Sequence, residues 1–227
     1  MKVIRETWLW IIVVALIVSI GIFFWGADFR GVEDEIAIRV NEETVTMSEF
    51  ENIKEQTEKG MVLRGMNPTD EEVEEETRRA VIEELLFLSY VKEKNLDVTE
   101  KEIDDFYELL LSQEEAMETK EDFYRAWEGE GITREDIKEQ VLFAIKYEKL
   151  FNKYTKEAQV SAEEMRKAYD DYISWMKETG EPGEEIEVIS FEEMEEELKE
   201  FALHEKVAKR IDLELSEFRE KSIIEEF

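Results

Sequence analysis

From Trp8 to Trp25 every residue except Ser19 and Gly21 is apolar, and no charge falls between Glu6 and Asp28. A run of about 20 residues with no polar face matches the thickness of a hydrocarbon core and predicts a transmembrane helix. Trp8, Trp10 and Ile11 lie at its start, Leu16 and Ile20 within it, and Phe23, Phe24 and Trp25 at its exit. The tryptophans therefore fall where membrane interfaces favour aromatic rings. Lys2 and Arg5 precede the run, which predicts a cytoplasmic N-terminus and an extracytoplasmic remainder at the cell membrane. Bulky aromatics occupy the exit where peptidase cleavage needs small residues, so the segment is expected to persist as a signal anchor.

Beyond the anchor the period changes. Ile36–Val40 and Thr44–Thr46 flank Asn41-Glu42-Glu43, two short β-type runs around an Asn-led turn, and predict a hairpin. Helical spacing then takes over, and its starts share one device. A Ser or Thr is followed three residues later by an acid at Thr46/Glu49, Thr69/Glu72, Thr99/Glu102, Thr119/Asp122, Thr133/Asp136, Ser161/Glu164 and Ser190/Glu193. That is the capping box, in which each side chain satisfies the other residue's free backbone N–H. Apolar stripes follow at 3.6-residue spacing, such as Ile103, Phe106, Tyr107, Leu110 and Leu111. Between Ala80 and Val91 the apolar positions run almost all round, which predicts the most buried helix. Gly180, Pro182 and Gly183 interrupt the array, a long final helix follows, and Ser222–Glu225 is expected to form a third short strand.

Charge sharpens this picture. The 227 residues carry 29 Lys and Arg against 60 Asp and Glu, a net −31, with no Cys and one His. Such acidity repels phosphate backbones and argues against nucleic acid as a partner. The absence of Cys removes disulfides, thiolate nucleophiles and Cys-ligated metals. The acids are 49 Glu and 11 Asp, and Glu is the better helix former, so much of the charge belongs to solvated helix faces.

Candidate chemistry is sparse. His204 has no nucleophile elbow to serve. The acid runs Asp70–Glu76, Glu184–Glu187 and Glu192–Glu197 lack the alternating ligands and central Gly of a calcium loop. No catalytic residue, metal ligand or cofactor motif is predicted. More informative is Gly60–Pro68, read as a loop between helices. It carries Met61, Val62, Leu63 and Met66 where a loop is normally polar. These four residues either fold back over the core or meet a partner, and methionine suits promiscuous apolar contacts. Phe123, Tyr124 and Trp127 form a second apolar group, and Trp175 with Met176 a third; each is either core or groove lining.

The order of these features resembles a known family. Ala37-Ile38-Arg39-Val40-Asn41-Glu42-Glu43-Thr44-Val45-Thr46 leads into Met47-Ser48-Glu49-Phe50; then come Ala80–Leu86, Lys94–Ile103, Gly131–Ile137 and Gln159–Met165 before a Tyr169-containing helix. This resembles the SurA-like chaperone domain of bacterial envelope foldases of the SurA, PrsA and PpiD type, over about residues 36–175. The resemblance implies a mainly α fold, with a helical chaperone domain and a small sheet built from both ends of the chain. It divides the sequence into 1–31 (cytoplasmic stub and anchor), 32–176 (helical chaperone domain), 177–189 (linker) and 190–227 (helix and strand completing the domain). In that family a parvulin isomerase domain usually occupies the place of 177–189, and this stretch is too short to hold one.

The expectation is therefore a membrane-anchored chaperone or holdase for unfolded or newly translocated polypeptides, acting without catalysis. An envelope scaffold docking one defined partner is the alternative, and a prolyl isomerase the more distant one.

Overall fold

The computed structural model describes residues 35–113, 117, 119–128, 133–179 and 189–227. The apolar run Trp8–Trp25 lies outside the described residues, as does most of the 177–189 linker. Among the described residues no helix is long and apolar enough to cross a membrane.

Strands β1 (Ile36–Val40) and β2 (Glu43–Thr46) form the expected antiparallel hairpin. Asn41 at the turn has φ 56°, a left-handed conformation that Asn tolerates better than most residues. Strand β3 (Ile224–Glu226) pairs antiparallel with β1, giving the order β2-β1-β3 with Arg39 opposite Glu225. It begins two residues later than the sequence suggests, because Ser222 still belongs to a helix end, its hydroxyl donating to the Phe218 carbonyl. Asn41 fastens this closure. Its backbone N–H donates to the Ile223 carbonyl at 2.9 Å, and its side-chain carbonyl accepts from the Ile223 N–H at 3.0 Å. Its amide also donates to the hydroxyls of Ser89 and Ser222.

Among the described residues seven helices follow: α1 (Met47–Leu63), α2 (Asp70–Glu93), α3 (Glu100–Gln113), α4 (Lys120–Glu128), α5 (Arg134–Glu157), α6 (Ala162–Thr179) and α7 (Glu195–Arg219). All seven capping boxes form, each with the cap hydroxyl accepting from the N–H three residues on and the acid accepting from the cap N–H. At Ser190 the box opens a turn that becomes regular helix at Glu195. Helix α2 is the richest in buried residues, with Val81, Ile82, Leu85 and Leu86 packed against Ile38, Val40, Phe50 and Ile53.

The chain divides into two compact units. The first holds the described residues up to Glu148 together with Glu217–Phe227, and the second holds Lys149–Ser216. Among the described residues of the first unit, one core joins the sheet with α1 and α2, and another, from α3, α4 and the start of α5, is built on Phe106, Tyr107, Leu110, Phe123, Ile137, Val141 and Ile145. In the second unit Ala168, Leu198 and Ala202 are buried with Val160, Tyr169, Phe191 and Met194 packed around them.

Candidate functional site

Helix α1 runs through Gly60, which is buried, and on to Leu63. The stretch expected to be a loop from Gly60 onward is therefore helical for its first turn, and the loop proper is only Arg64–Thr69. What stops the helix is Gly65. It adopts φ 79°, and a Cβ there would meet nothing within 4 Å, so backbone conformation rather than crowding selects glycine. The Met66 N–H donates to the Met61 carbonyl at 3.1 Å and the Gly65 N–H to the Val62 carbonyl at 2.9 Å. This pair of bonds is the Schellman motif.

The side chains of that turn do not fold back over the core. Val62 is 55% exposed, Leu63 87% and Met66 50%, while Met61 is partly buried. A Schellman turn commonly pairs apolar residues three before its cap and two after it, here Met61 and Met66. Val62 and Leu63 hold no such position. They are the apolar surface that helix termination leaves unexplained.

Around this tip the surface is acidic. Glu51, Glu55 and Glu58 are exposed on α1, and Asp70, Glu71 and Glu72 open α2. Lys54, only 18% exposed, ties the two helices by pairing with Asp70 at 2.9 Å and Glu74 at 3.4 Å, and its hydrogen bond to Asp70 raises its pKa. Glu72 is held below the usual carboxylate range by the N–H and hydroxyl of Thr69. The tip is thus mounted on a braced pair of helices.

The other apolar groups separate. Phe123 lies in the second core at 7% exposure, edge-on to Tyr107 at 5.9 Å between centroids, with Tyr124 and Trp127 packed partly buried against the same cluster. The Tyr124 hydroxyl shares a 2.8 Å hydrogen bond with that of Tyr107, and Arg134 lies over the Tyr124 ring. This group is structural, because the apolar face of α4 is what closes α3 against α5. Trp175, 58% exposed, and the partly buried Met176 lie on α6 in the second unit. Leu109 and Leu213 are also exposed, at 45% and 60%, and sequence patterning gave no sign of either.

No reactive centre assembles among the described residues. His204 packs against Phe151 with the rings tilted by 43° and their centroids 4.7 Å apart, and partial desolvation lowers its pKa. Among the described residues no three acids or histidines converge as metal ligands. Glu84 on α2 is pushed up to about 8 by burial, with Glu139 adding repulsion and Lys146 opposing it. A shallow recess in the second unit is lined by Glu157, Gln159, Lys206 and Arg210, but Lys206 is engaged by Glu164 and the Gln159 carbonyl, and Arg210 by Glu157. Neither cation is left to hold a ligand.

The described residues thus form a mostly helical fold closed by a three-stranded sheet, with an apolar helix end exposed on it. The family model described as the SurA-like N-terminal domain matches residues 1–123, more than half of the sequence, and the chain belongs to that family. It is also similar to the foldase protein PrsA of Caldanaerobacter subterraneus subsp. tengcongensis, with 26% identity over 170 residues that cover 69% of this chain and 49% of the relative. The chain spans about half the length of that curated relative. Family membership supports a chaperone-type envelope function in general.

Proposed function

We propose that the protein is a membrane-anchored holdase of the cell envelope. It holds exposed apolar segments of unfolded or newly translocated polypeptides and releases them without altering a covalent or prolyl bond. The observation that carries this is the exposure of Val62 and Leu63 on a rigid helix end, at positions where helix termination asks for nothing apolar. Trp8–Trp25 would fix the chain in the membrane with its acidic bulk outside, where net charge keeps a loaded chaperone soluble.

The test is aggregation of a denatured client in the presence of the full chain in lipid nanodiscs. Suppression near equimolar ratio is expected; none at severalfold excess would overturn the reading. In the same preparation a proline-peptide assay should return the uncatalysed rate. For the topology, protease added to oriented vesicles should digest the bulk of the chain only from the extracytoplasmic side.

A further inference from the structure

The surroundings of the tip narrow the class of segment it holds; this step rests on the holdase reading. Between Glu51 and Arg79 nine carboxylates face five cations, Lys54, Lys59, Arg64, Arg78 and Arg79, a net of −4. Four of those cations are engaged locally: Lys54 with Asp70 and Glu74, Lys59 with Glu55 at 2.7 Å, Arg78 with Glu74 at 2.8 Å and Arg79 with Glu76 at 2.5 Å. Glu58 stands one helical turn before Val62 on the same face, about 6 Å along the axis. Glu71 opens the next helix just past the turn. Both are exposed, and among the described residues neither enters an ion pair.

We propose that the tip docks apolar segments flanked by Lys or Arg, with Val62 and Leu63 taking the apolar part and Glu58 and Glu71 the flanking cations. Charge complementarity selects this occupant over two others. A second copy meeting the same tip would set −4 against −4, and a few side chains bury far less than the roughly 1,000 Å² a stable interface needs. An anionic bilayer surface would be repelled for the same reason. Arg64 opposes a basic ligand, but it is a single charge within the acidic excess.

The experiment uses the full chain in zwitterionic nanodiscs and two fluorescein-labelled peptides that share one Leu/Val/Phe centre, flanked by Lys in one and by Glu in the other. Anisotropy should show the Lys-flanked peptide binding about tenfold tighter at low salt, with the ratio approaching one near 0.5 M salt. Glu58→Lys with Glu71→Lys, at unchanged melting temperature, should invert the preference. Equal affinity for both peptides, or a preference that survives the double charge reversal, overturns the charge selection while leaving the holdase reading intact. If neither peptide binds, or if Val62→Lys with Leu63→Glu changes nothing, the underlying reading of the tip fails. Tip-dependent dimers in sedimentation, or tip-dependent binding to phosphatidylglycerol vesicles without peptide binding, overturn the choice of occupant.

Discussion

Helices α1 and α2 end in the same way, and the difference between the two ends isolates the apolar surface proposed to hold clients. At the first, Met61-Val62-Leu63-Arg64-Gly65-Met66 closes with a positive-φ glycine. At the second, Val91-Lys92-Glu93-Lys94-Asn95-Leu96 closes with Asn95 at φ 54°, the Leu96 N–H donating to the Val91 carbonyl at 3.0 Å. From each left-handed residue the next capping threonine lies four residues on, Thr69 and Thr99. Both ends place apolar residues at the two positions the motif pairs. Between them the second end carries Lys92 and Glu93, with Lys92 reaching Glu42 and Glu43 on the hairpin. The first end carries Val62 and Leu63. One chain therefore supplies its own control: the turn needs neither residue to be apolar.

The sharpest way to break the comparison is to make the first end like the second. Val62→Lys with Leu63→Glu should weaken client binding about tenfold or more, as expected when buried anchors of an interface are lost. Its melting temperature should shift by no more than about 2 °C, since exposed substitutions fall within about 0.5 kcal/mol. A large drop in melting temperature with intact binding would make these residues structural instead.

The next effect acts on both ends alike, because both flank α2. The folded pKa of Glu84, about 8, lies above its ordinary 4.5, so the folded protein keeps a proton that the unfolded chain releases. The contribution of this group to stability should therefore decline as pH rises from about 4.5 and level off above 8, by something on the order of 1–3 kcal/mol. Melting curves from pH 5 to 8.5 should flatten in Glu84→Gln. A wild-type slope that persists in that variant would assign it to other groups.

Smaller effects separate backbone from side chain. Gly65→Ala should cost about 1 kcal/mol and Gly65→Asn less, with Asn95→Gly close to neutral, all read by chemical denaturation. Equal costs for Ala and Asn at position 65 would contradict the conformational account. Lys92→Val with Glu93→Leu should change stability by less than about 1 kcal/mol, because the lost ion pairs are exposed, while adding a second, weak client site. No gain in peptide binding there would show that an apolar helix end needs the acidic surroundings of the first.

Six helix starts were legible because a capping box is closed within four residues, so nothing distant overrides it; at Ser190 the box forms but regular helix begins only at Glu195. Helix α1's end was placed too early because Gly60 has the look of a helix breaker, although it lies buried within the helix, which runs on to Leu63. The sign of a Schellman turn is an apolar residue immediately after the glycine, and the Asn95-Leu96 pair could have taught it. Phe123, Tyr124 and Trp127 announced an apolar face but not what that face would meet, since periodicity carries no partner information. The exposure of Val62 and Leu63 was open for the same reason. The ties of Asn41 were out of reach, because Ser89 and Ser222 stand 48 and 181 residues away.

The pairing of β1 with β3 bears on how the molecule comes into being. Arg39 and Glu225 meet across 186 residues of sequence, so β1 waits for all seven described helices to be made before its second neighbour exists. Until then Ile38 and Val40 offer an open edge to any passing strand. Such distant closure is slow and comes late. A chain cut short before Ile224 never seals that edge and stays open to proteolysis and aggregation, so the sheet works as a clasp that closes only once β3 has been made.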